Sequence, residues 1–372
     1  MNSLESFSAT YPEARAKFLA AVSRAGGTLE TISHPERGPD GGFLSTDVAW
    51  FGPQDAERVL VTLSGTHGVE GFAGSGAQVD WLDRGEAGRL PQGVAALLIH
   101  AINPYGFAWL RRVTHENVDL NRNWIDFSEP LPENGGYDEL AEAICPEEWS
   151  EEGRRQGEKE LAAYAARHGK AALQHAISGG QYRHPSGIFY GGKGPTWSRL
   201  TQTRIYSEYL GRAAQVGIID FHTGLGPWGL GERIVLASPK GEGFERAARF
   251  YGMGVVSPHD GTSSSAPIVG DGLSASVGLL PHAQVTAIAL EFGTFPIESM
   301  LEAVSADAWL HARGKLQSPQ GEAIKAQIRA AFYGDAPDWK GMIAGQALLA
   351  CRQAVAGLRF IMPANRMASR DP

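Results

Sequence analysis

Four continuously apolar runs recur in this chain: "RVLVTL" at 58–63, "GVAALLIH" at 93–100, "QVGIID" at 215–220 and "VTAIALEF" at 285–292. Runs this short and this apolar read as strands buried on both faces. Stretches with helical signals separate them. The segment "YPEARAKFLAAVSRAGG" has Thr10 as N-cap, Pro12 in the first turn and Gly26 at the stop. Helices are also expected in "SGAQVDWLDRG", across 137–180, in "TWSRLTQTRIYSEYLGRAA", in "FERAARFYG" and in "DWKGMIAGQALLACRQAVAGL", with further strands at "GTLETIS", "GFLSTDVAWFG" and "RIVLAS". Strands alternating with helices imply an α/β fold: a mixed, mostly parallel central sheet with helices on both faces. No repeat or long Gly/Ser/Pro linker interrupts the pattern. One domain over 1–372 is therefore expected, with a helix-rich, insertion-like region at about 128–200.

Composition narrows the function classes. Lysine and arginine number 33 against 41 aspartates and glutamates, a net charge of −8 with no basic block, which argues against a nucleic-acid surface. The first residues carry no basic start followed by an apolar run, and no run approaches the roughly 18 residues of a membrane span. A cytoplasmic protein without a membrane partner is expected. Two distant cysteines, Cys145 and Cys351, provide neither a disulfide framework nor a Cys-x-x-Cys site. Any metal must then be held by histidines and carboxylates.

Reactive residue types follow several of the strands. "SGTHGVEG" brings His67 and Glu70 after the first run, "NPYGFAWLRR" brings Asn103, Arg111 and Arg112 after the second, and "NVDLNRNW" follows closely. His222 stands in "IIDFHTG" and Glu291 in "IALEFG". In an α/β sheet, ligands collect at the carboxyl ends of strands. Two imidazoles and one carboxylate are a common catalytic zinc set that leaves one position for water. Glu291 would complete the inventory of a metal-assisted hydrolase as its base. Taken singly, each residue has an ordinary reading: His222 as a core histidine, Glu291 in an ion pair, Arg122 paired with Asp119. Their joint occurrence at several strand ends favours the site.

In this order, "GTHGVEG", "NPYGF", "VDLNRNW", "DFHTG" and "ALEFG" resemble the motif set of the zinc carboxypeptidase superfamily, which also holds aspartoacylase and succinylglutamate desuccinylase. The similarity is nearest to a bacterial branch and spans residues 59–293. The resemblance implies one zinc per chain on His67, Glu70 and His222, with Glu291 as general base or acid. It implies that Arg112, or its neighbour Arg111, polarises the scissile carbonyl, and that Asn121 and Arg122 hold the substrate's terminal carboxylate. Asp119 and Asp220 are then candidates to support the ligand imidazoles. The chain departs from the digestive members in one respect. The zone "SSSAPIVGDGLSASVGLL" before Glu291 has no tyrosine to cap the substrate. Tyr190 in "GIFYGGKGP" is the candidate replacement, and Trp228 in "GLGPWGLG" is available for stacking.

The expected activity is zinc-dependent amide hydrolysis on a small substrate. Removal of a C-terminal residue from a peptide ranks ahead of deacylation of an N-acyl amino acid. A binding protein that kept the metal but lost the chemistry would need neither Glu291 nor Arg112.

Overall fold

The apolar runs lie side by side. The computed structural model describes residues 2–360, with strands β1 (Thr28–Arg37), β2 (Phe43–Phe51), β3 (Arg58–Leu63), β4 (Val94–His100), β5 (Gln215–Trp228), β6 (Gly231–Ile234), β7 (Val255–Val256) and β8 (Gln284–Gly293). They form one sheet in the order β1-β2-β4-β3-β5-β8-β6-β7. The middle four strands, β4, β3, β5 and β8, are parallel. Strand β2 adds to β4 and β1 to β2 antiparallel, while β6 runs antiparallel to β8 and carries the short parallel β7.

Alternation along the central strands explains their unbroken apolarity. Leu60, Leu98, Ile219 and Leu290 belong to a core that includes the helices Gly71–Asp83 and Pro337–Phe360. Their neighbours Val59, Val61, Leu97 and Ile218 belong to a second core, which includes Ile205 and Tyr206 of the helix Trp197–Leu210. Both faces are therefore dry, and each large aliphatic side chain so buried contributes about 1.5–3 kcal/mol.

The capping signals read from the sequence operate as physical chemistry requires. Thr10 accepts a hydrogen bond from the Glu13 amide, and Gly26 ends the helix Tyr11–Ala25 at φ 72°. Two elements differ from expectation. Strand β6 stops at Ile234, where its pairing with Ala289 of β8 ends, and the Val235 amide closes the short ladder to β7 by donating to the Val256 carbonyl at 2.9 Å. A helix, Gly272–Leu279, occupies the tyrosine-free zone, where Asp271 caps it by accepting from the Ser274 amide at 2.7 Å.

Residues 128–200 contain the helices Gly135–Ile144, Glu151–His168 and Lys170–Ser178 and the start of Trp197–Leu210. Tyr137, Leu140, Tyr164 and Ile177 from this region share a core with Phe189, Met300 and Phe332, so the region is packed against the helices Ile297–Arg313 and Pro319–Phe332. No helix among the described residues is long and apolar enough to cross a membrane.

Candidate metal centre and substrate cleft

Strand register brings three of the chemically active segments together. Leu63, the last residue of β3, is level with Asp220 of β5, and His222 of β5 is level with Glu291 of β8. The chain leaving β3 turns at Gly65, whose φ is +70°. It then passes so close to the helix Pro104–Ala108 that a Cβ on Gly68 would lie 2.0–2.3 Å from the backbone of Gly106 and Phe107. Only glycine fits there. The Gly68 and Val69 amides donate to the carbonyls of Arg112 (3.1 Å) and Arg111 (2.8 Å), which fixes the loop that carries His67 and Glu70.

The result is a buried group of three potential metal ligands, His67, Glu70 and His222. His67 Nδ1 is 3.0 Å from Glu70 Oε1, His222 Nδ1 is 3.0 Å from Glu70 Oε2, and the two Nδ1 atoms are 3.2 Å apart. Each ring has a carboxylate behind it, and the His67 Nε2 also lies 2.8 Å from Arg112 Nη2. His222 Nε2 is 2.9 Å from Asp220, which also accepts from the Thr66 hydroxyl, and His67 Nε2 is 3.3 Å from Asp119. For His222, the carboxylate at Nε2 orients the ring and makes Nδ1 a better donor to a cation.

Opposite charges support one another at this point. Burial pushes Glu70 up, but His67 and His222 outweigh it and hold its carboxyl far below the usual range. Burial likewise disfavours the charged His222 ring, yet Asp220 and Glu70 raise its pKa well above the ordinary value. The environment that keeps a proton on a buried imidazole is one that welcomes a metal cation in its place. Glu291 behaves oppositely. Burial and the nearby Glu70 carboxylate push it up to about 7, while its Oε1 accepts from the Leu225 amide at 3.0 Å.

Two adjacent arginines, Arg111 and Arg112, go to different places. Arg112 donates from Nε to Asp119 (2.9 Å) and from Nη1 to Glu70 (3.1 Å), and it lines the cleft. Burial opposes its charge, but Asp119, Glu70 and Glu291 raise its pKa. Arg111 lies outside the cleft. Its Nε donates to Asp307 at 2.9 Å and its Nη2 to Asn117 at 2.8 Å, inside an ion-pair group that includes Lys325. Leu110, just before this pair, sits at φ 52°, an uncommon left-handed conformation for leucine at this bend.

Asp119 is the hub of the next segment. It accepts from the Asn121 amide at 2.9 Å, pairs with Arg112, and faces His67. Burial raises its pKa, but Arg112, His67 and Arg122 together hold it well below the ordinary value. Asn121 uses its side-chain oxygen to accept from the Gly272 amide at 3.2 Å. Arg122 donates to the carbonyls of Asn121 (2.9 Å) and Ser178, and its guanidinium lies 5.2 Å from the Phe189 ring centroid. Its Nε has no partner, it forms no ion pair with a carboxylate among the described residues, and burial lowers its pKa.

Of the residues proposed from the sequence, His67, Glu70, His222, Glu291, Arg112, Asn121 and Arg122 line one cleft. Arg111 and Tyr190 do not. Tyr190 is buried within residues 128–200, and its carbonyl accepts from the Asp119 amide at 2.8 Å. It therefore braces Asp119 from outside the cleft. The remaining wall was not foreseen. Ile234 and Ala289 line it from the sheet, Leu236 from the segment after β6, Ile297, Met300 and Val304 from the helix Ile297–Arg313, and Ser178 and Phe189 from residues 128–200. Ala289 had a usable signal, since it lies two residues before Glu291 and shares its face of β8. The others come from segments distant in sequence, with no signal to join them.

Comparison with solved structures finds similarity to a carboxypeptidase A from Helicoverpa armigera (12% identity, TM-score 0.44, covering 89% of this chain and 75% of that one). It also finds a metallo-carboxypeptidase from Burkholderia cenocepacia (12%, TM-score 0.40, 92% and 68%) and a succinylglutamate desuccinylase from Chromobacterium violaceum (13%, TM-score 0.36, 85% and 73%). A search of curated proteins gives no match. A family model described as "Protein of unknown function (DUF2817)" matches residues 7–346, and the chain belongs to that family.

Proposed function

We propose that this protein is a zinc-dependent amide hydrolase of the metallocarboxypeptidase kind, which removes the C-terminal residue from a peptide or peptide-like substrate bearing a free carboxylate. The observation that carries the reading is Arg122, a buried guanidinium without an anionic partner, in the same cleft as a His-Glu-His group and Glu291. A guanidinium buried without an anion is costly, and a substrate carboxylate would satisfy it in a charge-assisted pair.

The residues fit a zinc ion. Two imidazole nitrogens and a carboxylate converge at 3.0–3.2 Å, they are buried, and Asp220 orients the His222 ring while Asp119 and Arg112 flank the His67 ring. His67, Glu70 and His222 would hold the ion. When bound, zinc supplies Lewis-acid polarisation of a carbonyl and acidification of water.

The chain's own groups divide the remaining work. Glu291, with its proton affinity raised to about 7, takes a proton from the attacking water and returns it to the leaving nitrogen. Arg112 is held in place by Asp119 and offers positive charge to the oxygen that becomes negative in the transition state. Arg122 grips the terminal carboxylate. Asn121, its oxygen occupied by Gly272, has its amide N–H groups left to donate to the same ligand.

Asp119 links these functions, since it braces His67, Arg112 and the Asn121 backbone at once. The test is turnover on matched short peptides and N-acyl amino acids, each with a free or an amidated terminus, with and without a chelator. Chelator-sensitive cleavage that requires the free carboxylate supports the reading. Preference for N-acyl amino acids over peptides would move the protein to the deacylases. Metal binding without turnover on any member would make it a binding protein.

A further inference from the structure

Strand β6 sets one carboxylate directly against another. Glu232 of β6 is level with Glu291 of β8 in their antiparallel ladder. Residues so paired share a face of the sheet, and the pair two positions along, Ile234 and Ala289, lines the cleft. Like charges directly opposite one another cost stability, so a second glutamate here needs a reason. Both of its oxygens are taken by one residue. Oε1 accepts from the Ser264 amide at 2.9 Å, and Oε2 accepts from the Ser264 hydroxyl at 2.5 Å.

Ser264 lies midway along a strap, residues 257–271, which brings Ser264, Ser265, Ala266 and Ile268 onto the wall of the cleft. Apart from one turn at Pro258–Asp260, the strap has no helix or strand of its own. Its start is tied where the Ser257 hydroxyl donates to the Ala237 carbonyl at 3.4 Å. Its end is tied to the segment that carries Asn121 and Arg122. There the Trp124 amide donates to the Gly270 carbonyl at 3.0 Å, and the Gly272 amide donates to Asn121 at 3.2 Å. Gly270, at φ +86°, packs so closely that a Cβ on it would lie 2.8 Å from the Arg122 carbonyl oxygen. Between these ends, the two bonds to Glu232 are the only hydrogen bonds that residues 263–269 make to the rest of the chain, among the described residues. The strap therefore runs from the ladder partner of Glu291 to the backbone of Arg122, and one side chain fixes its middle.

We propose that Glu232 is a positioning residue for substrate binding, which holds the strap as a fixed wall of the cleft between Glu291 and Arg122. The proposal rests on the reading of this cleft as the substrate site, with Arg122 as the carboxylate holder. A wall already in place costs no ordering when the substrate arrives. A strap tied only near Ser257 and Gly270 would have to be ordered by the substrate itself, at the expense of affinity. The effect belongs to binding and not to the chemical step, since the Glu232 side chain hydrogen-bonds to Ser264 alone.

The experiment measures kcat and KM separately on a short free-carboxylate peptide that wild-type protein cleaves, together with amide hydrogen exchange along the strap. Glu232→Ala should raise KM by about five- to tenfold, keep kcat within about twofold, and speed exchange of the Ser264 amide at least about tenfold. Glu232→Gln keeps an acceptor for that amide and should stay within about twofold of wild type in KM. Adding Ser264→Ala to Glu232→Ala should change little more, because the two residues act as one tie. An unchanged KM in Glu232→Ala, unchanged exchange at Ser264, equal losses in the alanine and glutamine variants, or a loss confined to kcat overturns the proposal. If wild-type protein cleaves no free-carboxylate substrate, it is the proposed function that fails, and exchange still decides whether Glu232 holds the strap.

Discussion

Replacing Arg122 isolates the group that would decide which molecules enter this cleft. The guanidinium is buried at 3% exposure, bonded only to two backbone carbonyls, with Nε unpartnered. Its geometry is restricted, since it lies against Phe189 on one side and the end of the helix Lys170–Ser178 on the other. A carboxylate arriving there forms a charge-assisted, bidentate pair in a site shielded from water. Removing either partner of such a pair costs on the order of 2–5 kcal/mol, because the other charge is left buried and unmatched. At 1.4 kcal/mol per factor of ten, kcat/KM should fall by roughly thirty- to several-thousandfold.

The assay is a double-mutant cycle in which one perturbation is Arg122→Gln and the other is amidation of the substrate's terminus. Wild-type protein should strongly prefer the free acid, and the variant should treat acid and amide alike. The second perturbation should add little to the first. Arg122→Lys should recover only a small part of the loss, because an ammonium cannot present the planar fork. Additive losses in the cycle, or equal rates on acid and amide in wild-type protein, would refute the pairing and leave Arg122 as a brace for Ser178 and the Leu120–Arg122 turn.

Three other outcomes are expected. His67→Ala and His222→Ala should each lose a bound zinc ion under dialysis conditions that wild-type protein survives, measured by elemental analysis, and full retention in both variants would remove the ligand assignment. Glu291→Gln preserves shape and the bond from Leu225 but cannot accept a proton, so zinc content should stay near wild type while turnover drops at least about a hundredfold; activity near wild type would make Glu291 structural. The buried His100 is held neutral, chiefly by desolvation, with its pKa pushed down to about 4. Its folded value lies below the unfolded one, so its contribution is complete above about pH 6.5 and is lost as pH falls towards 4. Between pH 7 and 5 this should remove about 2 kcal/mol in urea unfolding, and His100→Gln should lack that share of the slope; an identical slope in the variant would refute it.

The fold was legible wherever local chemistry determined the outcome. Thr10 and Gly26 bound a helix for reasons contained within a few residues, and the four central strands announced themselves because burial on both faces leaves only apolar positions. The helix Gly272–Leu279 was not legible, because "GLSASVGL" has small residues, a weak apolar stripe and only Asp271 as a start signal. Its place is set by long-range bonds instead, from Gly272 to Asn121 and from the Trp124 amide to the Gly270 carbonyl. Strand β6 was over-read for a similar reason. "RIVLAS" has strand propensity throughout, but the chain pairs with β8 over only four residues, Gly231 to Ile234, and leaves the sheet there.

The arginine pair shows where sequence reasoning about a site reaches its limit. Arg111 and Arg112 are chemically identical neighbours, and nothing local distinguishes the one that lines the cleft. Their fates are decided by carboxylates of different origin. Asp119 lies seven residues from Arg112, inside a motif that was read, whereas Asp307 lies on a helix 196 residues from Arg111. A buried guanidinium goes where its charge is matched, and Asp307 matches Arg111 outside the cleft. That pairing still reaches the site through the backbone. The carbonyls of Arg111 and Arg112 hold Val69 and Gly68, on the loop between His67 and Glu70. Arg111, which the sequence offered for the substrate, therefore serves the candidate metal group from behind through its backbone carbonyl, which helps fix the turn that carries two of its three donors.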